Sequence, residues 1–227
     1  MQRRKFTSAL LSVTGMWALA ARAADITEGD AALGVRAALE RGAVAAVGLL
    51  GKSGGFLDNP KVRIPLPGYL NDAAKMLKFT GQQKRVDELI TAMNRAAEAA
   101  VPQAKALLIS AVKAMSVEDG RQILTGGDNS VTQFFAGKTR APLSVTFLPI
   151  VTKATEKVSL ADKYNSVAGK AASLGLVSGD DANIQKYVTA KALDGLYLMI
   201  GEEERKIRRD PVGTGSAILQ KVFGSLK

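Results

Sequence analysis

The chain has 227 residues, with 31 Lys and Arg against 21 Asp and Glu, and it contains neither histidine nor cysteine. Without these two residue types there can be no Ser–His or Cys–His nucleophile pair, no disulfide, and no zinc or haem site of the usual kinds. The formal net charge of +10 is spread along the chain and forms no dense basic run with interleaved aromatics. We therefore expect no nucleic-acid partner, no metal and no cofactor.

The first 23 residues resemble a cleaved export signal. The positive segment Arg3-Arg4-Lys5 precedes an uncharged apolar stretch from residue 6 to residue 21, and Ala21-Arg22-Ala23 offers a cleavage site after Ala23. The arginine pair resembles a twin-arginine export signal more than it resembles a signal of the general secretory route. An uncleaved anchor is the alternative, but the apolar stretch is shorter than the ~20 residues that span a bilayer. We therefore predict a periplasmic mature chain of residues 24–227.

The mature chain begins with a predicted helix and an irregular loop. Thr27 and Asp30 have the spacing of a capping box, and the segment after them, rich in Ala, Val and Leu, predicts a helix to about Leu50. Residues 52–67 contain two adjacent glycines and three prolines, which favour turns and a stiff backbone. Loops of this length in compact domains are often functional.

Helical spacing returns at about Tyr69. Apolar residues recur every three or four positions in residues 85–100 and again in residues 104–115. Pro102 lies between these two segments and predicts a break or sharp kink, because a proline inside a helix costs about 3 kcal/mol.

The second half of the chain is also predicted to be helical, from its caps, glycines and prolines. The first is a short helix capped by Ser116 with Asp119 and ending at Gly126-Gly127. A second helix is opened by Pro142 and bent or ended by Pro149, and a third begins at Ser159 with Asp162. A long helix over residues 180–209 and a last helix over residues 216–223 follow.

These elements predict an all-α fold: a single compact multi-helix domain over residues 24–227, with one long Pro/Gly-rich loop and no disulfides. No apolar run of the mature chain is long enough for a transmembrane segment. Two helical lobes on either side of Gly126-Gly127 are the alternative architecture.

The densest group of candidate site residues is the segment from Thr125 to Phe135. Gly126 and Gly127 allow positive backbone angles, and Ser130 or Asn129 can then cap a helix, with Gln133 closing a capping box. One interpretation is a small-ligand site formed by free amides at this helix start. Its side chains would be Asp128, Thr132 and an exposed Phe. The other is an ordinary helix junction with Phe134 and Phe135 in the core.

Two further positions carry charge within apolar surroundings. Arg95 and Glu98 have the spacing of a surface ion pair within one helix, although the neighbouring Asn94 also allows a buried polar network. Asp194 lies in a strongly apolar run, where a carboxylate needs a partner. Lys191, one turn earlier, is the expected partner, and a functional carboxylate with a perturbed pKa is the alternative.

Several spaced segments resemble the bacterial domain-of-unknown-function family numbered 4197. They are Gly55–Pro60 with Ile64–Pro67, Met93–Ala100, Ile123–Asp128, and Ala192–Leu196 followed by Glu202–Glu204. The resemblance covers nearly the whole mature chain. It implies a single exported helical domain and transfers no catalytic residue.

The predicted export, the mild basicity and the helices with many small Ala and Gly side chains favour a non-enzymatic binding or accessory protein of the cell envelope. Its partner would be a small apolar or anionic ligand, enclosed by the proline-containing loop, or an envelope protein. A structural envelope scaffold is the close alternative. A carboxylate-dependent hydrolase using Asp128, Glu98 or Asp194 is the competing class. A closed apolar cavity would favour ligand binding, a filled core a scaffold, and two facing carboxylates an enzyme.

Overall fold

The computed structural model describes residues 28–68, 81, 83–127, 129–173, 183–210 and 213. The predicted export signal with Ala23, the predicted cap at Thr27, the predicted helix from Tyr69, Asp128 and the predicted helix over residues 216–223 lie outside these residues. The described part contains no strand and is helical with turns, which confirms the all-α prediction. Its α-helices are α1 (Glu28–Leu50), α2 (Gln83–Ala100), α3 (Ala104–Lys113), α4 (Val117–Thr125), α5 (Ser130–Thr155), α6 (Ser159–Ser173) and α7 (Ile184–Arg209).

Helix α7 occupies the centre of the fold. It packs along α1 on one side and α5 on another, while α2 packs mainly on α5, and α3 and α4 pack on α1. Most of α7 is buried from Ile184 to Ile200, including two tyrosines and Gly195. One hydrophobic core contains residues of all these helices, on both sides of Gly126-Gly127.

Helix α5 continues through two prolines, so Pro142 does not open a helix and Pro149 does not end one, contrary to those two predictions. Both prolines lie on the exposed side of α5, where the carbonyls that lose an amide donor can bind water instead. The opposite side packs on α2 and α7. Tertiary packing therefore offsets the cost of each proline, about 3 kcal/mol in an isolated helix.

The buried side of α5 also has unusual spacing. Every fourth residue is buried along its whole length, namely Val131, Phe135, Thr139, Leu143, Phe147, Val151 and Thr155. Four residues advance about 40° beyond one full helical turn, so this stripe winds around the helix instead of following one side. As a result, α5 can contact different partner helices along its length.

The breaks around α3 and α4 follow their local sequence. Pro102 lies in a 3-10 turn, Val101–Gln103, which joins α2 to α3 and confirms the predicted interruption. Ser116 and Asp119 form the predicted capping box: the Ser116 hydroxyl accepts from the Asp119 amide at 3.0 Å, and the Asp119 carboxylate accepts from the Ser116 amide at 2.9 Å. The hydrogen bonds from the Ser116 amide and hydroxyl lower the pKa of Asp119.

The close approach of α7 to the loop at residues 51–68 depends on Gly195. A β-carbon there would lie 2.9 Å from Cε1 of Phe56 and 3.1 Å from Cβ of Val62. We therefore predict that Gly195→Ala lowers the free energy of unfolding by about 1–2 kcal/mol, because overpacking outweighs the gain in helix propensity. Urea unfolding of the purified protein measures this change.

Gly48 in α1 provides the matched control, since a β-carbon there meets no atom within 4 Å. Gly48→Ala should raise the free energy of unfolding by roughly 0.5–1 kcal/mol through helix propensity alone. Equal stabilisation by both substitutions would contradict the tight packing at Gly195.

Candidate functional site

The loop at residues 51–68 is fastened to α2 by the buried amide of Asn94. Its Oδ1 accepts from the Ile64 amide at 2.8 Å, and its Nδ2 donates to the Ile64 carbonyl at 2.9 Å and to the Ile90 carbonyl at 2.8 Å. Asn94 thereby pairs with Ile64 as a neighbouring strand would, in a segment that has no strand partner. This pairing satisfies backbone groups that would otherwise be buried without hydrogen bonds.

Glu98 lies one helical turn further along α2 and hydrogen-bonds to the other half of the same loop. Its Oε1 accepts from the amides of Phe56 and Leu57, both at 3.1 Å, and its Oε2 accepts from Arg95 at 2.6 Å. Arg95 also donates to the hydroxyl of Ser53 at 2.8 Å. The side chain of Glu98 is only 5% exposed. The prediction of a surface ion pair is therefore wrong, and the buried polar network suggested by Asn94 is what the fold contains.

The environment of Glu98 stabilises its charged form. Burial by itself raises the pKa of this carboxyl, but hydrogen bonds from the Leu57 amide, the Arg95 guanidinium and the Phe56 amide outweigh burial. The net pKa lies below the ordinary value of 4.5. Glu98 is therefore ionised at neutral pH and acts as an acceptor for the loop.

Other contacts fix the remaining parts of the loop. The hydroxyl of Tyr187 donates to the Pro65 carbonyl at 3.1 Å, and Lys61 pairs with Glu202 at 2.7 Å. Phe56 is fully buried against α7. Gly54 has a positive φ of 82°, a conformation that glycine adopts without strain. The inner side of the loop is thus part of the core.

Asp194 does not pair with Lys191 as the sequence predicts. Its carboxylate accepts from Arg140 of α5 at 2.5 Å, and its side chain is 50% exposed. Lys191 instead lies 5.8 Å from the ring centroid of Tyr187. The apolar run around Asp194 packs inward on α7, while Asp194 itself faces outward, so this carboxylate avoids the burial that the sequence suggested.

Gly126 and Gly127, two of the predicted site residues, lie at a solvent-open cleft of about 470 Å³ between α4 and α5. Its other described lining residues are Asp119, Gln122, Ile123, Asn129, Ser130, Gln133, Phe134, Gly137 and Lys138. A β-carbon at Gly126 would lie 2.6 Å from the Gln122 carbonyl oxygen, so the tight corner at this end of the cleft requires glycine.

Thr132 is not part of the cleft lining. Its hydroxyl lies 3.4 Å from the Tyr197 carbonyl and faces α7. The predicted cap of α5 also differs, because Asn129 at the N-cap makes no side-chain capping bond and Ser130 donates to the Ile123 carbonyl at 3.2 Å. Phe135 is buried, as the helix-junction interpretation expects, whereas Phe134 lines the cleft.

The walls of the cleft are held by contacts from three helices. Arg208 of α7 donates to the Ile123 carbonyl at 2.9 Å, the same carbonyl that Ser130 reaches. Arg208 also pairs with the buried Glu204. Between α4 and α5, Lys138 and Asp119 lie 3.9 Å apart. These contacts join α4 to α5 and to α7 at the walls of the cleft.

Within the described ranges, no group of three or more acidic side chains is placed to hold a metal ion. No described helix is both long and apolar enough to cross a membrane. A second, more open concavity of about 760 Å³ lies between α2 and the start of α6, with Lys84, Glu88 and Ser159 among its lining residues. The described residues thus form a helical fold on which the cleft between α4 and α5 is one of the ligand-sized concavities.

A family model described as "Protein of unknown function (DUF4197)" matches residues 25–224, and the chain belongs to this family. No curated protein and no solved structure shows a significant match.

Several of the segments that carried the resemblance to this family meet in the structure, whereas residues 123–127 lie at the cleft. Segments 55–60 and 64–67 form the loop, segment 93–100 supplies Asn94 and Glu98, and segment 192–196 supplies Gly195. The sequence did not indicate Lys138 or Gln122 at the cleft, because exposed polar residues on two helices give no local signal of convergence. Gln133 was assigned to a helix cap, whereas the structure places it in the cleft lining.

The buried position of Glu98 gives a prediction on stability and its pH dependence. Glu98→Gln removes the charge that the Phe56 and Leu57 amides and Arg95 stabilise, so the free energy of unfolding should fall by about 1–3 kcal/mol at pH 7. The folded pKa of Glu98 lies below the unfolded one. Its contribution is therefore complete above the unfolded pKa, near the ordinary value of 4.5, and is lost as pH falls through the folded pKa.

Urea unfolding at pH 7 and near pH 3 measures both effects. Asp194→Asn is the control, since this exposed pair should contribute less than about 1 kcal/mol. A difference between wild type and Glu98→Gln that stays constant over this pH range would contradict the role of the ionised carboxylate.

Proposed function

We propose that this protein is exported to the periplasm and acts there as a non-enzymatic ligand-binding or accessory protein of the cell envelope. The cleft between α4 and α5 is the binding site of this proposal. The observation that carries it is the size and lining of the cleft, about 470 Å³ with polar side chains from both helices. Small-molecule sites commonly have volumes of roughly 300–1,000 Å³. The N-terminal segment with Arg3-Arg4 supports the export part of the proposal.

The rigidity of the cleft also supports binding. Ile123 is held from two directions, by Arg208 of α7 and by Ser130 of α5. Phe134 packs edge-on against the buried Phe135, with ring centroids 5.3 Å apart. A site whose walls are already fixed loses less conformational entropy when a ligand binds.

Binding is better supported than the hydrolase alternative. Glu98 is fastened to the loop and Asp194 is paired with Arg140. Asp119, the carboxylate among the described lining residues, caps α4 through Ser116. General acid–base hydrolysis of a glycosidic bond uses two carboxylates on opposite sides of the bond. The described side chains supply no such pair around the cleft.

An envelope scaffold is a second candidate, favoured by one observation. Leu33 and Val117 are 52% and 48% exposed, and Val117 lines a shallow groove of about 160 Å³ between α1 and α4. The groove is lined mainly by apolar side chains, which suits a protein contact more than a polar ligand.

Native mass spectrometry of the mature protein, purified gently from the periplasm of its host, tests the proposal. We expect an added mass that is lost on denaturation and is absent from Gly137→Leu. Gly137 lines the cleft and a β-carbon there meets no atom within 4 Å, so we expect a leucine at this position to occupy part of the cleft without disturbing the core. It should also raise the free energy of unfolding by about 0.5–1 kcal/mol, because leucine favours a helix more than glycine does.

Gly48→Leu is the matched control, a glycine-to-leucine change at an open helical position on α1. It should keep the added mass. A bare mass for the wild type, or an added mass that Gly137→Leu retains, would contradict ligand binding in the cleft. A bare dimer would favour the scaffold.

A further inference from the structure

The proposed binding site has a chemical character that narrows its ligand, an inference that rests on the proposed function. The lining residues Gln122, Asn129 and Gln133 carry side-chain amides, and Ser130 carries a hydroxyl. Gln122 already donates one N–H to Glu118 at 3.2 Å, and the Ser130 hydroxyl donates to the Ile123 carbonyl. For a ligand, Gln122 therefore offers its carbonyl and its second N–H, and Ser130 offers its oxygen as an acceptor. Each amide offers two donors and one acceptor carbonyl in a single plane. Such groups match a ligand that carries many neutral donors and acceptors on adjacent atoms.

The charges of the described lining residues cancel. Asp119 and Lys138 are the charged members, and they face each other at 3.9 Å. An anionic ligand would gain from Lys138 but would be repelled by Asp119 at a similar distance. The cleft therefore favours a neutral ligand over the anionic or purely apolar one expected from the sequence.

Phe134 adds an apolar surface beside these polar groups. Its ring lines the cleft and is fixed by its edge-to-face contact with Phe135. An aromatic ring can cover the C–H side of a ligand while amides bond its hydroxyls. Sugars present both kinds of surface at once.

We infer that the cleft between α4 and α5 binds one unit of a neutral saccharide. The volume of about 470 Å³ is large enough for one N-acetylated hexose together with water around it. Because the cleft is open to solvent, further units of a glycan can extend out of it. The amides of Gln122 and Gln133 bond the sugar hydroxyls or its acetamido group.

Titration of the isotope-labelled mature protein with N,N′-diacetylchitobiose, followed by backbone amide NMR, tests this inference. We expect saturable shifts at residues 122–127 and 129–138, and none in Gly137→Leu. Gln133→Ala should raise Kd about fivefold to tenfold, which corresponds to the loss of one ordinary hydrogen bond. Gly48→Leu should bind as the wild type does.

Three further probes sharpen the result. Cellobiose, which lacks the acetamido groups, should bind the same residues more weakly, and inorganic phosphate should cause no saturable shift there. Tighter binding of the chitin tetramer than of the dimer would indicate a polymeric glycan as the source, and equal binding a free sugar.

Saturable binding of phosphate without binding of either sugar would overturn the inference, and so would the absence of sugar-dependent shifts at the cleft. Failure of the sugar assignment can be distinguished from failure of the proposed function. If the native added mass disappears in Gly137→Leu but proves not to be a saccharide, the cleft is a binding site and only the sugar assignment is wrong.

Discussion

The buried hydrogen bonds from α2 to the loop at residues 51–68 are the constraint on which the rest of the structure depends. Prolines and glycines prevent this loop from forming a helix or a strand, so its buried amides need side-chain acceptors. Asn94 and Glu98 supply them. With its backbone satisfied, the loop can bury Phe56 and Ile64 against the helices. Gly195 then allows α7 to approach closely enough to complete the core.

A charged group is used at this position because one carboxylate accepts several donors. Oε1 of Glu98 accepts hydrogen bonds from two amides of the loop, and Oε2 accepts one from Arg95. Arg95 also donates a hydrogen bond to the hydroxyl of Ser53. A neutral amide also carries donors, so it cannot accept from all of these groups equally well. Removing the Glu98 carboxylate would leave the buried Phe56 amide without its acceptor, which is costly in a region of low dielectric.

Local features of the fold could be predicted from the sequence, whereas features that depend on burial could not. Pro102 and the Ser116–Asp119 cap act within one turn of chain, and both were predicted. Pro142 and Pro149 were misjudged because their cost depends on which side of α5 faces water. Glu98 and Asp194 were assigned the wrong environments for a related reason: charge and spacing do not reveal which side of a helix a neighbouring loop will cover.

The same distinction between local and long-range features applies to the cleft. Its glycines could be found from the sequence because Gly126-Gly127 interrupts helical spacing. Its polar lining could not, since Gln122 and Gln133 converge only through the angle between α4 and α5. Helix α4 is also bonded to Arg208, a residue far along the chain that donates to the Ile123 carbonyl.

Hydrogen exchange at the amides of Phe56, Leu57 and Ile64 tests the fastening of the loop most directly. If Glu98 and Asn94 hold the loop to the core, these three amides should exchange only through global unfolding. The exposed Lys61, whose amide bonds only to the nearby Asn59 side chain at 3.2 Å, should exchange much faster. In Glu98→Gln, exchange at Phe56 and Leu57 should accelerate more than at Ile64. Rapid exchange of all three amides in the stable wild-type protein would contradict the account.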